Sequence, residues 1–192
     1  MNPLILASSS PRRLQLLEML GIPCRVVAPD ADETRRAGEL PEAYVVRLAR
    51  AKAGVVAARE PAELVLAADT TVVVRGELLG KPASPEDAAV MLGKLAGRTH
   101  HVMTGVALAM GERVLHALDV TDVTFRALDR ATIAAYVETG EPMDKAGAYA
   151  VQGRGAALVE AIRGDFFGVM GLPLRLVIDL LERFGRPYRF TR

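Results

Sequence analysis

Residues 4–21, Leu4-Ile5-Leu6-Ala7-Ser8-Ser9-Ser10-Pro11-Arg12-Arg13-Leu14-Gln15-Leu16-Leu17-Glu18-Met19-Leu20-Gly21, decide the fold class because they join two kinds of element. Residues 4–7 form a short apolar run that reads as a strand, and Ser8-Ser9-Ser10-Pro11 breaks it. Ser10 suits a helix N-cap, Pro11 the first helical position and Gly21 a stop after Leu20, with Leu14, Leu17 and Leu20 as the buried stripe. Residues 25–28 (RVVA) read as the next strand. An acidic loop, Asp30-Ala31-Asp32-Glu33, then leads to a helix over about 41–59.

Working outward, residues 64–68 are an apolar run ending in Asp69, and 72–74 stay extended up to the turn signal Arg75-Gly76. Ser84-Pro85-Glu86-Asp87 opens a helix that ends near Gly97, with Asp87 three positions beyond the cap. Residues 101–109 and 114–125 are β-rich and joined around Gly111-Glu112 as a hairpin. A helix over 129–139, a glycine-rich stretch over 140–155, a strand near 158–162 and a helix over about 173–184 complete the reading. Alternating strands and helices, then a β-rich middle, predict an α/β fold with a mixed β-sheet flanked by helices. The 192 residues carry no repeat and no long linker. The expectation is a single domain over 1–192 built as two intimately packed lobes.

Composition narrows the function. Hydrophobic residues make up 51% and charged residues 24%, enough apolar material for a core and incompatible with a disordered chain. The 24 basic residues nearly balance the 23 acidic ones, so no bulk field holds a long nucleic acid or an anionic membrane. A few cations gathered in one cleft can still hold a small anion. Cys24 is alone, which excludes an internal disulfide and a cysteine-based zinc site. The opening residues carry no basic cluster before their short apolar run, unlike a secretory signal, and no run reaches the ~20 apolar residues of a membrane span. A soluble cytoplasmic protein is the expectation. Only four of the 24 basic residues are lysine, so each lysine draws notice.

Several segments can carry chemistry. The amides of a helix N-terminus attract anions, whereas the helix dipole disfavours cations there. Arg12 and Arg13 therefore fit either as solvated arginines behind a serine cap or as phosphate ligands beside Ser8 and Ser10. On the 41–59 helix, Val45, Leu48, Ala49 and Val56 form the core stripe, and Lys52 falls within it while Arg47 and Arg50 point elsewhere. A buried ammonium requires an anionic partner, either a core carboxylate or a ligand phosphate, unless its stem snorkels outward. Asp69 ends an apolar strand, where α/β proteins collect ligands, and suits a general base or a metal ligand. Glu33 can add a second carboxylate or remain a solvated charge. Lys81 sits in the turn Leu79-Gly80-Lys81-Pro82. Lys145 and Gln152 lie in a small-residue stretch that reads as a flexible loop or as backbone approached closely by a ligand. Lys94 reads as surface, and His100, His101 and His116 lack metal-site spacing. No P-loop, dinucleotide fingerprint or nucleophile elbow is present.

Together these segments resemble the Maf family of nucleoside triphosphate pyrophosphatases. The matching pieces are SSSPRR at 8–13, ADET at 31–34, YVVRLARAKA at 44–53, AADTTV at 67–72, GKP at 80–82, the hairpin around TGVALA and GEPMDKAGAYAVQG at 140–153. Pro11 followed by Arg12-Arg13, Asp69-Thr70 and Gln152 resemble the branch acting on dTTP and UTP, not the one preferring 7-methyl-GTP. The resemblance implies two lobes around a central cleft, a cytoplasmic homodimer and a divalent cation, magnesium or manganese. It implies water attack at the α-phosphorus, which gives a nucleoside monophosphate and pyrophosphate. Asp69 carries over as general base and metal ligand, Glu33 as its helper at the metal, and Lys52, Lys81 and Arg13 as the cations that neutralise the phosphates. Ser8 carries over as a substrate ligand, and Arg12, Thr70 and Gln152 as specificity positions. Gln152 offers a donor and an acceptor to a pyrimidine edge. A second reading is a non-catalytic, nucleotide-binding regulator of septum formation.

Overall fold

A computed structural model describes residues 3–190 of the chain. Strand β1 (Leu4–Ala7) leads into helix α1 (Pro11–Met19), then come β2 (Cys24–Val27) and α2 (Pro41–Arg59). Strand β3 (Val65–Val74) turns into β4 (Glu77–Leu79), and α3 (Pro85–Leu95) precedes the long strands β5 (Thr99–Met110) and β6 (Arg113–Phe125). Helix α4 (Arg130–Glu138), three short 3-10 turns (Glu141–Asp144, Ala146–Ala148 and Arg154–Leu158), β7 (Val159–Arg163), α5 (Phe166–Met170) and α6 (Leu174–Arg183) follow. The sheet order is β2-β1-β3-β5-β6-β7, with β4 paired to β3 off that path. Strand β1 runs parallel to both β2 and β3, whereas β4 is antiparallel to β3 and β7 to β6. The sheet is therefore mixed, as the order of elements predicted.

By contacts the chain groups into two compact units. The first contains residues through Asp69, Thr104–Asp119 and residues from Gly171 onward. Its core is lined by small side chains: Ala49, Ala53 and Ala57 of α2 belong to one buried cluster with Ala7, Ala67, Ala107 and Ala109 of the strands. Such residues let a helix lie close to a sheet. Gly105 marks the tightest approach, since a Cβ there would stand 2.5 Å from the Val45 carbonyl oxygen. This packing fixes how α2 lies on the strands, and therefore where Lys52 on its inner face points.

The second unit contains Thr70–Met103 and Val120–Met170. Val72, Val74, Leu92, Leu95, Val123 and Phe125 centre its core. The Ser84 cap accepts from the Asp87 amide at 3.2 Å, and Asp87 Oδ2 accepts in return from the Ala83 amide at 2.9 Å. That reciprocal pair is the reason Ser84-Pro85-Glu86-Asp87 starts α3 where it does. Asp129 likewise caps α4 through the Thr132 amide at 2.7 Å.

Four local expectations change. On α1 the fully buried pair is Leu16 and Leu17, while Leu14 and Leu20 are only half-buried, so Leu16 takes a place in the core that the expected stripe did not give it. Strand β2 begins one residue before the predicted 25–28 and ends one earlier. Strand β4 and helix α5 were not foreseen. The first exists by pairing with β3, and the second is five residues whose start Asp165 holds through the Phe167 and Gly168 amides. Finally, Asp69 does not end a strand: β3 continues through it to Val74, carried by the β-branched Thr70, Thr71 and Val72.

Candidate active site

Within the first unit, three side chains from separate segments meet. Lys52 of α2 is 7% exposed and Asp69 of β3 is 9% exposed. The Lys52 ammonium donates to Asp69 Oδ1 at 2.7 Å and lies 2.8 Å from Glu33 Oε1 of the loop before α2. Of the partners left open by the sequence, the lysine thus has carboxylates, two of them. The Glu33 side chain remains 59% exposed, so one arm of this bridge faces solvent and the other is interior. Burial pushes the Asp69 carboxyl above the ordinary aspartate range, against the pull of the Lys52 ammonium and the Arg13 guanidinium and with the Glu33 charge adding to the rise.

Arg13 is the second cation near Asp69. Its Nε donates to the Gly171 carbonyl at 2.8 Å and its Nη1 to Ser8 Oγ at 3.2 Å. Desolvation lowers its pKa and the Asp69 charge opposes that effect. Ser8 is 4% exposed, and its hydroxyl oxygen also accepts from the Ser10 amide at 3.1 Å. Ser10 occupies the N-cap position of α1, as the sequence indicated, but its side chain caps no amide. The junction is organised by Ser8 instead. Arg12, beside Arg13 in the first turn of α1, is half-buried.

The structure therefore brings Ser8, Arg13, Glu33, Lys52 and Asp69 into one charged network in the first unit. Thr70, Lys81 and Gln152 belong to the second unit. Thr70 is half-buried on β3, and Lys81 is exposed in the turn between β4 and α3. Among the described residues no carboxylate pairs with Lys81. Gln152 is exposed on a turn whose neighbours carry a set of hydrogen bonds. Glu141 Oε1 accepts from the Tyr136 hydroxyl at 2.7 Å and the Gly155 amide at 2.9 Å, and its Oε2 accepts from the Arg154 amide at 2.9 Å. The Ala150 amide donates to the Tyr136 hydroxyl at 3.1 Å, and the Gly80 carbonyl accepts from the Gly147 amide at 3.0 Å. Lys145 donates to the Glu141 carbonyl at 2.8 Å and pairs with Asp144. Lys94 pairs with Glu77 on the surface. His100, buried, meets the Tyr149 hydroxyl at 2.9 Å, and His101 meets Asp122, both away from any metal-site arrangement.

Tyr44, Arg47 and Glu39 were not singled out from the sequence. Tyr44 donates its hydroxyl to the Glu33 carbonyl at 3.2 Å, and burial together with the Asp69 and Glu33 charges pushes its pKa up. No periodicity marks them: Tyr44 and Arg47 precede Lys52 by eight and five positions on one helix, spacings that leave them off its buried stripe.

For a metal, Glu33 and Asp69 are the hard carboxylate donors of the site, and both meet at the Lys52 ammonium. Among the described residues no group of three or more histidine, cysteine, aspartate or glutamate side chains could form a cage. Two carboxylates are the kind of hard oxygen donor that a divalent cation shares with phosphates and water. The pair does not fit structural zinc.

A mixed α/β sheet carrying a lysine between two carboxylates, next to a serine and arginine at a strand-to-helix junction, describes a class of protein with a charged site on an α/β frame. The chain belongs to the family described as Maf-like protein, whose model matches residues 3–184. It is 54% identical to the dTTP/UTP pyrophosphatase of Symbiobacterium thermophilum over 97% of this chain and 96% of that protein. It is 55% identical to the dTTP/UTP pyrophosphatase of Myxococcus xanthus over 96% and 93% of the two chains, and 51% identical to that of Salmonella typhimurium over 96% and 94%. Among solved structures, the Ham1 protein of Staphylococcus aureus shares the fold, with a TM-score of 0.52 at 16% identity over 95% of this chain and 97% of that one. No helix among the described residues is long and apolar enough to cross a membrane.

Proposed function

We propose that this protein is a nucleotide pyrophosphatase that hydrolyses dTTP and UTP to the nucleoside monophosphate and pyrophosphate. The observation that carries the reading is the buried Asp69 held by Lys52 at 2.7 Å, with its carboxyl pushed up by burial. A carboxylate made more basic by its surroundings is suited to take a proton from water. The names of the relatives at 50–55% identity support the same activity and give the non-catalytic division regulator no support.

In this mechanism Asp69 accepts a proton from water as the water oxygen bonds to the α-phosphorus. The bond from that phosphorus to the bridging oxygen breaks, and pyrophosphate leaves with the electron pair. Lys52 holds Asp69 in place, and with Arg13 it offsets the negative charge of the phosphates. Ser8 keeps the Arg13 guanidinium oriented. The reading assigns Lys81 to the leaving pyrophosphate, and Arg12, Thr70 and Gln152 to substrate selection. Glu33 and Asp69 are the side chains that would hold a divalent cation, and such an ion when bound neutralises phosphate charge. We place the protein in the cytoplasm as a homodimer, with nucleoside triphosphates and no long nucleic acid as partners.

The test is a panel of nucleoside triphosphates, with magnesium, manganese or chelator, assayed separately for pyrophosphate and orthophosphate. Pyrophosphate release fastest from dTTP and UTP is expected, and it should vanish in Asp69→Asn with the fold retained. Near-native turnover by that variant would remove Asp69 from its role, and release of orthophosphate alone would overturn the reaction.

A further inference from the structure

Glu33 is held by the rest of the protein in an unusual way. Its side chain is largely exposed, so burial does not fix it, and its loop carries no helix or strand between β2 and α2. Arg47, on the flank of α2, supplies the order. Its Nε donates to Glu39 Oε1 at 2.6 Å and its Nη2 to Glu39 Oε2 at 2.8 Å, a two-pronged clamp across one carboxylate. The same Nη2 donates to the Thr34 carbonyl at 3.0 Å, one peptide from Glu33. Glu39 Oε2 also accepts from the Arg36 amide at 3.1 Å, and Thr34 is tied locally to Asp32 Oδ1 at 2.9 Å. The guanidinium lies 5.6 Å from the centre of the Tyr44 ring, whose hydroxyl donates to the Glu33 carbonyl. Arg47 and Lys52 are on one helix, so the helix that presents the ammonium also grips the loop that presents the carboxylate.

We propose that Arg47 is the positioning residue for Glu33: its fork locks Glu39 and the Thr34 carbonyl so that the Glu33 carboxylate arrives at Lys52. The inference rests on the pyrophosphatase reading, in which Glu33 works beside Asp69, and it assigns Arg47 no contact with the nucleotide. A planar fork is required, because a lysine ammonium is a point charge that cannot span both Glu39 oxygens and reach the carbonyl. Arg47→Lys therefore keeps the charge and loses the geometry.

The experiment has two arms. In the first, Arg47→Lys is compared with the parent protein and with Glu33→Gln for dTTP turnover. A misplaced catalytic group lowers the rate by about 100-fold, so kcat should fall by about that factor while KM moves far less. In the Glu33→Gln background, Arg47→Lys should add no further loss, since two groups acting as one unit are not additive. Losses that multiply would overturn the proposal. The second arm needs no activity: limited trypsin digestion read by mass, following cleavage after Arg35 and Arg36. Faster cleavage in folded Arg47→Lys is expected, and an unchanged rate would overturn the clamp. A parent protein that releases no pyrophosphate from any triphosphate would defeat the catalytic reading, and the digestion arm would still decide whether Arg47 holds the loop.

Discussion

The Lys52 ammonium stands 2.7 Å from Asp69 Oδ1, and both residues are buried. Breaking such a pair from one side leaves a charge in the interior without its partner, a loss of about 3–5 kcal/mol, whereas the pair itself adds little net stability. Lys52→Met should accordingly destabilise the protein by roughly that amount at pH 7, and less at acid pH, where Asp69 takes up a proton. With the ammonium gone, the burial that already raises the Asp69 carboxyl acts unopposed by its strongest counterweight. Any residual activity should then have its acid limb at higher pH than the parent enzyme. Urea unfolding across pH and a pH–rate profile measure both effects, and unaltered stability at pH 7 would contradict the account.

His100 gives a second pH dependence. It is 1% exposed, and burial pushes its pKa down from 6.5 to about 4, against an upward pull from the Arg98 backbone. A base with a depressed folded pKa contributes stability fully above its unfolded value and loses it as pH falls from 6.5 towards 4. At 1.36 kcal/mol per pH unit the loss approaches about 3 kcal/mol by the lower end. His100→Gln, which keeps a partner for the Tyr149 hydroxyl, should flatten the stability curve in that window. If the parent and the variant have parallel curves, His100 is not the titrating group.

Gly105→Ala tests the approach of α2 to the strands. The added methyl would stand 2.5 Å from the Val45 carbonyl oxygen and 2.9 Å from the Val46 nitrogen, both backbone atoms unable to swing aside. Overpacking of this sort costs about 1–3 kcal/mol. Because the helix that must shift carries Lys52, turnover should fall together with the melting temperature. A stable variant with full activity would show that α2 does not depend on this close contact.

Tyr136→Phe isolates the knot behind Gln152. The hydroxyl donates to Glu141 and accepts from the Ala150 amide, so its loss leaves a buried amide without an acceptor at a cost of about 1–3 kcal/mol. Proteolysis after Arg154 should accelerate, and KM for dTTP should rise more than kcat falls. Unchanged susceptibility to protease would argue that Glu141 alone secures the turn.

Some of this was legible in the sequence and some was not, for definite physical reasons. Lys52 was legible because a cation inside a 3.6-residue apolar stripe contradicts the stripe, and the structure resolves that contradiction with two carboxylates. Asp69 was found as a charged residue after an apolar run, but the run was read as finished there. Thr70 and Thr71 are strong strand formers, and β3 carries the aspartate in mid-strand. Glu33 offered only an acidic loop, since the Arg47 fork that orders it involves no periodicity. The 140–155 stretch was opaque for the same reason. Its shape comes from Glu141 collecting amides from Arg154 and Gly155, a bond pattern that no local rule predicts.

That knot bears on which side chains position 152 can carry. Every bond holding the Gln152 turn to Glu141 and Tyr136 falls on main-chain amides or on those two side chains. Residue 152 thus rides on a mount that does not depend on its own identity. An exchange there leaves the bracket intact, so the side chain presented at the tip of the turn can be replaced by single substitutions without first unsettling the scaffold.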